Sequence, residues 1–168
     1  MTGPGRNGEM EGRRGVWPRL RGRLFHAYFL LRRPMTLGVR CIVYNEAERS
    51  VFLVRHTYVP GWHLPGGGVE TGETLFEALT HELAEEGNLE MTSPPRLVAI
   101  YHNVLASRRD HVALFLVTSS RQSAPKEGDR EIAEAGFFPI DGLPAGTTRA
   151  TRDRLAEHFE NRPPAHRW

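Results

Sequence analysis

Between Glu70 and Glu90 the chain carries seven acidic residues and no lysine or arginine, and three of these acids, Glu82, Glu85 and Glu86, close a run with helical spacing. At 100° per residue, positions i, i+3 and i+4 share one helix face, so three carboxylates point into one volume. They also fall near the helix C-terminus, where the macrodipole disfavours negative charge. Like-charged neighbours at this spacing cost a helix roughly 0.2–0.5 kcal/mol per pair. A solvated, Glu-rich surface helix is the plain reading of such a run. The alternative is a site for a hard divalent cation, which takes oxygen ligands.

The flanking residues favour the second reading. Thr74 followed by Glu77 forms a capping box that starts a helix just after Glu73. Leu75, Leu79 and Leu83 recur at i, i+4 and i+8 and give that helix an apolar stripe beside its acids. A helix anchored in this way holds its carboxylates in place. Ahead of it, Gly66, Gly67 and Gly68 form a turn in which the backbone can come close to a metal or a phosphate. A plain tight turn is the simpler account of Gly68.

The stretch Gly67 to Leu89, GGVETGETLFEALTHELAEEGNL, resembles the Nudix box. That pattern is a glycine, five residues, a glutamate, seven residues, then Arg-Glu, an apolar residue, any residue, Glu-Glu, any residue, a glycine and an apolar residue. Gly67, Glu73, Glu82, Leu83, Glu85, Glu86 and Leu89 stand at the matching positions, and Trp62-His63-Leu64-Pro65-Gly66 looks like the strand and turn that lead into such boxes. Two positions depart from it. His81 stands where the family has arginine, and a shorter, mostly neutral side chain is expected to hold Glu73 or a neighbouring acid less firmly, at some loss of rate. Asn88 stands where the family has glycine, and asparagine tolerates the left-handed conformation expected at the helix end.

The resemblance implies an α+β fold, a Nudix-like mixed β-sheet sandwiched between helices. It also implies a reaction, metal-dependent hydrolysis of a phosphoanhydride in a nucleoside diphosphate linked to another group. By match to the box, Glu82, Glu85 and Glu86 are the metal ligands, with Glu73 supporting or joining them, and the ion is Mg²⁺ with Mn²⁺ as a substitute. Glu82 or Glu86 orients or deprotonates the attacking water. Family members often add an acid from a later loop; Glu127, Asp129, Glu131 and Glu134 compete for that place, and Glu131 is the best placed counting back from Phe137-Phe138. Substrate-binding candidates are the backbone of Gly66 and Gly67, with Arg40 or Arg55 for phosphate charge, an exposed strand arginine being the commoner account of each. Substrate choice is not legible, because the window Val104 to Ser107, where some subfamilies carry a marker, offers neither proline nor tyrosine. The alternatives are a Nudix-fold sensing or interaction module without catalysis and an RNA 5′-end pyrophosphohydrolase.

At 168 residues the chain has room for one sizeable core but not comfortably for two. The net charge of +2 conceals an asymmetry, since residues 1–33 hold eight Arg and two Glu and leave −4 on the rest. Residues 1–16, rich in Gly and Arg, read as disordered. Residues 17–34 read as an extra N-terminal amphipathic basic helix ended by Pro34, and 35–168 as the hydrolase domain with its C-terminal helix. That basic helix packs on its own domain or forms a homodimer contact; a membrane surface or nucleic acid is the less favoured partner. Cys41, the one cysteine, excludes an internal disulfide framework and points to the cytoplasm. It falls in an apolar run and reads as a small buried hydrophobe.

Elsewhere the pattern predicts a hairpin of 36–44 and 51–56 across the turn Asn45-Glu46-Ala47-Glu48, a break at Pro94-Pro95, and strands at Arg96–Leu105 and His111–Ser119. A further strand is expected from Gly136 to Ile140 and a helix from Arg149 to Phe159, capped by Thr147 or Thr148. His56, His63, His102 and His111 show no zinc-ligand spacing. Tyr58 and Trp62 flank the glycine turn and suit either a base or the core.

Overall fold

The computed structural model describes residues 34–168, together with Phe25, Tyr28 and Arg32, which are helical. The expected disordered segment, the rest of the amphipathic helix and any homodimer contact through it lie outside the described residues. The chain divides into two units, Met1–Pro34 and Met35–Trp168.

Its elements are β1 (Thr36–Asn45), β2 (Ser50–His56), α1 (Leu75–Gly87), β3 (Leu89–Met91), β4 (Arg96–His102), β5 (Asp110–Val117), β6 (Ser120–Gln122), β7 (Ile132–Pro139), a 3₁₀ turn (Ile140–Gly142) and α2 (Arg149–Phe159). Five strands form one sheet in the order β4-β5-β1-β2-β7, and β3 pairs with β6 in a small second sheet. The β1–β5 pair is parallel and the other pairs of the large sheet are antiparallel. This is the mixed sheet between helices that the resemblance implied.

Alternation along the strands sorts the core into two layers. Val39, Cys41, Val43, Phe52 and Val54 pack with Leu79 and Leu83 of α1 on one face. Ile42, Val51, Leu53 and Leu114 pack with Trp62, Tyr101 and Leu155 of α2 on the other. Central strands buried on both faces read as near-continuous apolar runs rather than as alternation. Cys41 is fully buried, as expected of a small hydrophobe.

The predicted hairpin is present, with one departure that builds the site. β1 and β2 pair only beside their turn, Tyr44 with Val51 and Asn45 with Ser50. Below that point they splay, and the segment leading into the box fills the gap. Val39 N–H donates to Gly67 O at 2.9 Å, Cys41 N–H to Pro65 O at 3.0 Å, and Val69 N–H to Leu37 O at 2.9 Å. On the other side, Val54 and His63 exchange a pair of backbone hydrogen bonds at 2.8 and 3.0 Å. The glycine turn is thereby stitched into the sheet.

β3 and β6 went unread because three residues each are too short to show a period. β7 starts four residues earlier than expected, at Ile132, where β2 takes up pairing across a bulge at Arg55/His56. α2 spans the expected residues, with Thr148 as its cap accepting from Thr151 N–H.

Candidate active site

α1 begins at the predicted capping box, with Thr74 Oγ1 accepting from Glu77 N–H and the Glu77 carboxylate accepting from Thr74 N–H. It ends on Asn88, which is left-handed at φ 52°, and whose N–H reaches back to Ala84 O and Leu83 O. The apolar stripe buries Leu79 and Leu83, which turns Glu82 and Glu86 toward the glycine turn.

Glu86 is buried and accepts a hydrogen bond from Gly66 N–H at 2.7 Å. Burial lifts its carboxyl to about 7, against the opposing pull of Arg40 and the Gly66 N–H, while Glu82 and Glu85 push it the same way. Glu82 lies directly on Gly67, where an added Cβ would overlap its carboxylate; this close approach is the physical reason for glycine there. Burial raises Glu82 as well, Arg40 opposes, and Glu85, Glu73 and Glu131 add repulsion. Glu85 is exposed on the same helix.

His81 takes hold of Glu73. Its Nδ1 lies 2.8 Å from Glu73 Oε1, and the other carboxylate oxygen accepts from Glu70 N–H at 3.0 Å. Histidine therefore reaches the acid that arginine was expected to steady, but through a single contact where a guanidinium offers a bidentate fork. His81→Arg is expected to keep or raise kcat, by no more than about tenfold. A fall in steady-state rate would show that the imidazole has a role that arginine cannot fill.

Among the late acids, the fold separates the four competitors. Asp129 is engaged by Lys126 at 2.6 Å and by the N–H groups of Glu131 and Ile132, which hold its carboxyl well below the usual range. Glu134 pairs with Arg55 at 2.8 Å. Glu127 is absent from the cleft lining, whereas Glu131 lines the cleft and repels Glu82.

The two arginines separate as well. Arg40 lines the cleft, donates to Leu64 O at 2.9 Å, and is the cation that acts on both Glu82 and Glu86. Arg55 lies 5.7 Å over the Trp62 ring, paired with Glu134, and does not line the cleft. Trp62 is core, edge-on to Phe138 at 4.7 Å; Tyr58 remains exposed on the cleft wall.

One neighbour escaped sequence reasoning. His56 is buried behind the acids, with Nε2 3.6 Å from Glu86 Oε1. Burial, reinforced by Arg40 and His63, lowers its pKa to about 4. At neutral pH it is therefore a neutral imidazole beside Glu86, and 3.6 Å is too long for a hydrogen bond. A histidine ending an apolar strand carries no signal of this placement.

The cleft has a volume of about 1060 Å³ and runs from Glu82, Glu85 and Glu86 past Gly66, Gly67 and Arg40 to Thr36 and Asp110. Among the described residues no three His, Cys, Asp or Glu side chains close around one point as a formed metal site. The donor chemistry nevertheless suits a hard cation. The cluster offers carboxylate oxygens alone, and the Glu82 and Glu86 carboxyls are raised by burial and mutual repulsion while Arg40 opposes both shifts.

A glycine turn stitched into a mixed sheet, a capped helix laying carboxylates over it, and an open cleft together define a loop–helix–loop site. The NUDIX domain family model matches residues 34–159, and the chain belongs to that family. The mouse protein named 8-oxo-dGDP phosphatase NUDT18 is 35% identical over 116 residues, covering 68% of this chain and 35% of the relative. The ADP-ribose pyrophosphatase of Methanocaldococcus jannaschii is 31% identical over 103 residues, covering 59% and 60%. The chain thus spans less than two thirds of the length of these relatives. The solved MutT NUDIX hydrolase from Burkholderia pseudomallei superposes with a TM-score of 0.63 at 21% identity, covering 74% of this chain and 98% of that one, a likeness of fold. Among the described residues no helix is long and apolar enough to cross a membrane.

Proposed function

We propose that the protein hydrolyses a phosphoanhydride bond in a nucleoside diphosphate linked to another group, using Mg²⁺, with Mn²⁺ as a substitute. The observation that carries this reading is the stacking of Glu82 and Glu86 on the Gly66-Gly67 backbone within a cleft that Arg40 also faces. The names of the mouse and archaeal relatives, which refer to 8-oxo-dGDP and ADP-ribose, support a nucleotide substrate.

In this reading Glu82, Glu85 and Glu86 hold the ion, and Glu73, steadied by His81, supports them. When bound, the ion would neutralise phosphate charge and acidify the attacking water. Arg40 meets the phosphate charge that the acids would otherwise repel, and Gly66 and Gly67 seat the Glu86 and Glu82 carboxylates against the backbone. The proton of the attacking water passes to Glu82 or Glu86. Glu131 contributes a further carboxylate from the loop before β7.

The test is release of phosphate or nucleoside monophosphate from a panel of nucleoside diphosphate derivatives with Mg²⁺, with Mn²⁺ and with EDTA. Release from one class with either ion, and at least 100-fold less in EDTA, is the expected result. Turnover that EDTA leaves intact, or silence across the panel, would overturn the reading.

A further inference from the structure

One residue outside the family match at 34–159, Trp168, lines the cleft. The segment 160–168, which follows α2, folds back along β4. His102 N–H donates to His166 O at 3.1 Å and Trp168 N–H donates to His102 O at 3.2 Å, a short parallel bridge on the edge strand. A buried clasp holds it there. Arg154 donates to Arg167 O at 2.9 Å and to Glu157 Oε1 at 2.6 Å. Glu157 Oε1 also accepts from Ala165 N–H at 3.0 Å, and its other oxygen accepts from Tyr101 O–H at 2.8 Å. The Arg154 guanidinium sits 4.2 Å over the Tyr101 ring and 5.6 Å from the centre of the Trp168 ring. Tyr101 meets Trp168 edge-on at 5.5 Å and 78°. Tyr101 is fully buried and Arg154 is 3% exposed, whereas Trp168 is only partly buried and lines the cleft.

We propose that Trp168 is the stacking platform for the nucleobase of the substrate, held in place by the Arg154–Glu157 clasp. This deepens the nucleotide reading above and rests on it. An indole held by its backbone N–H and by Arg154 and Tyr101 against its ring loses little conformational entropy when a ligand stacks on it. Its place suits the part of the substrate that the acids do not hold. Thr36, at the Trp168 end of the cleft, lies four residues along β1 from Arg40, roughly 13 Å away at strand rise. A diphosphate at Arg40 thereby leaves room for a sugar, with its base toward Trp168. Asn103 and Asp110, hydrogen-bonded to each other at 2.8 Å, line the same end and leave the ring as its planar apolar surface. Stacking of this kind tolerates any base, so Trp168 fixes affinity for a base without choosing which one.

The experiment compares the wild type with Trp168→Leu, which keeps apolar bulk but no ring, and Trp168→Phe, which restores one. Each is assayed with a nucleoside diphosphate derivative that the wild type cleaves and with the matching ribose diphosphate lacking a base. The Leu variant is expected to raise KM for the nucleotide about tenfold, with kcat within about twofold, and to leave the base-free substrate unchanged, with Phe recovering most of the loss. An equal rise for both substrates, or no rise, overturns the proposal. In parallel, AMP is titrated in EDTA while tryptophan fluorescence is followed; quenching that disappears in Trp168→Phe supports stacking without any turnover, and no quenching overturns it. A wild type that cleaves no nucleotide yet shows this quenching would remove the catalytic reading and keep the platform. Normal cleavage with no effect at Trp168 would do the reverse.

Discussion

Glu86→Gln is expected to lower kcat by about 10³-fold while leaving the fold intact and the metal-free protein more stable. The carboxylate sits in the cleft as candidate metal ligand and proton acceptor, and loss of either role costs rate on the scale of 10²–10⁴. Glutamine keeps an oxygen to accept the Gly66 N–H and removes a buried charge. The raised pKa gives the sign. A carboxyl that ionises at about 4.5 in the unfolded chain and about 7 when folded binds more protons in the native state between those values. Stability from Glu86 is therefore present at low pH and is lost as pH rises through about 7. The difference amounts to roughly 3 kcal/mol in the absence of metal.

His56 acts in the opposite direction. Its pKa falls from 6.5 to about 4 on folding, so it withdraws stability as pH drops below 6.5. The two groups offset each other between about pH 4.5 and 6.5, and Glu86 alone remains above that range. Melting curves in EDTA at pH 6.5 and pH 8 should show the wild type less stable at pH 8 and the Gln variant nearly level. A variant that loses stability and keeps its rate would make the carboxylate structural.

Gly66→Ala is expected to destabilise the protein by roughly 3–5 kcal/mol, at the upper end for single substitutions. Gly66 has φ +134°, and an added Cβ would lie 2.1 Å from Val39 O and 2.9 Å from Arg40 Cα. Both are backbone atoms of a central strand and cannot move aside as a flexible side chain could. The same N–H holds Glu86, so activity falls with stability. A melting temperature within about 2 °C of wild type would show that the turn can re-form, against an expected drop of ~10 °C.

Much of this site was legible in one dimension because a helix converts sequence spacing into a face. Thr74, Glu77, Leu79, Leu83, Glu82 and Glu86 needed only local helix rules to be placed, whereas Glu85 is exposed on the same helix, and Asn88 needed only its tolerance of left-handed backbone. The hairpin turn at Asn45–Glu48 and the cap at Thr148 were read from the same kind of local rule. Local chemistry could not choose between Arg40 and Arg55, both strand arginines in apolar runs. Which of them meets the acids depends on the face each strand shows and on what is packed against it. Nor could it find His56, whose place behind Glu86 depends on β2 lying beside the box helix.

The box is a local object: a capped helix of defined length, Glu82 and Glu86 on its inner face and the glycine turn before it. All of that follows from interactions within about ten residues, where geometry is nearly independent of the rest of the chain. What the box is pressed against is set by the fold. It splayed β1 from β2, slid Pro65–Val69 into the opening, and brought Glu82 onto Gly67 and Glu86 onto Gly66. It also paired Asp129 with Lys126 and Glu134 with Arg55, and folded 160–168 back so that Trp168 lines the cleft. These are contacts between segments distant in sequence, set by which apolar faces can be buried together, and no local period encodes them.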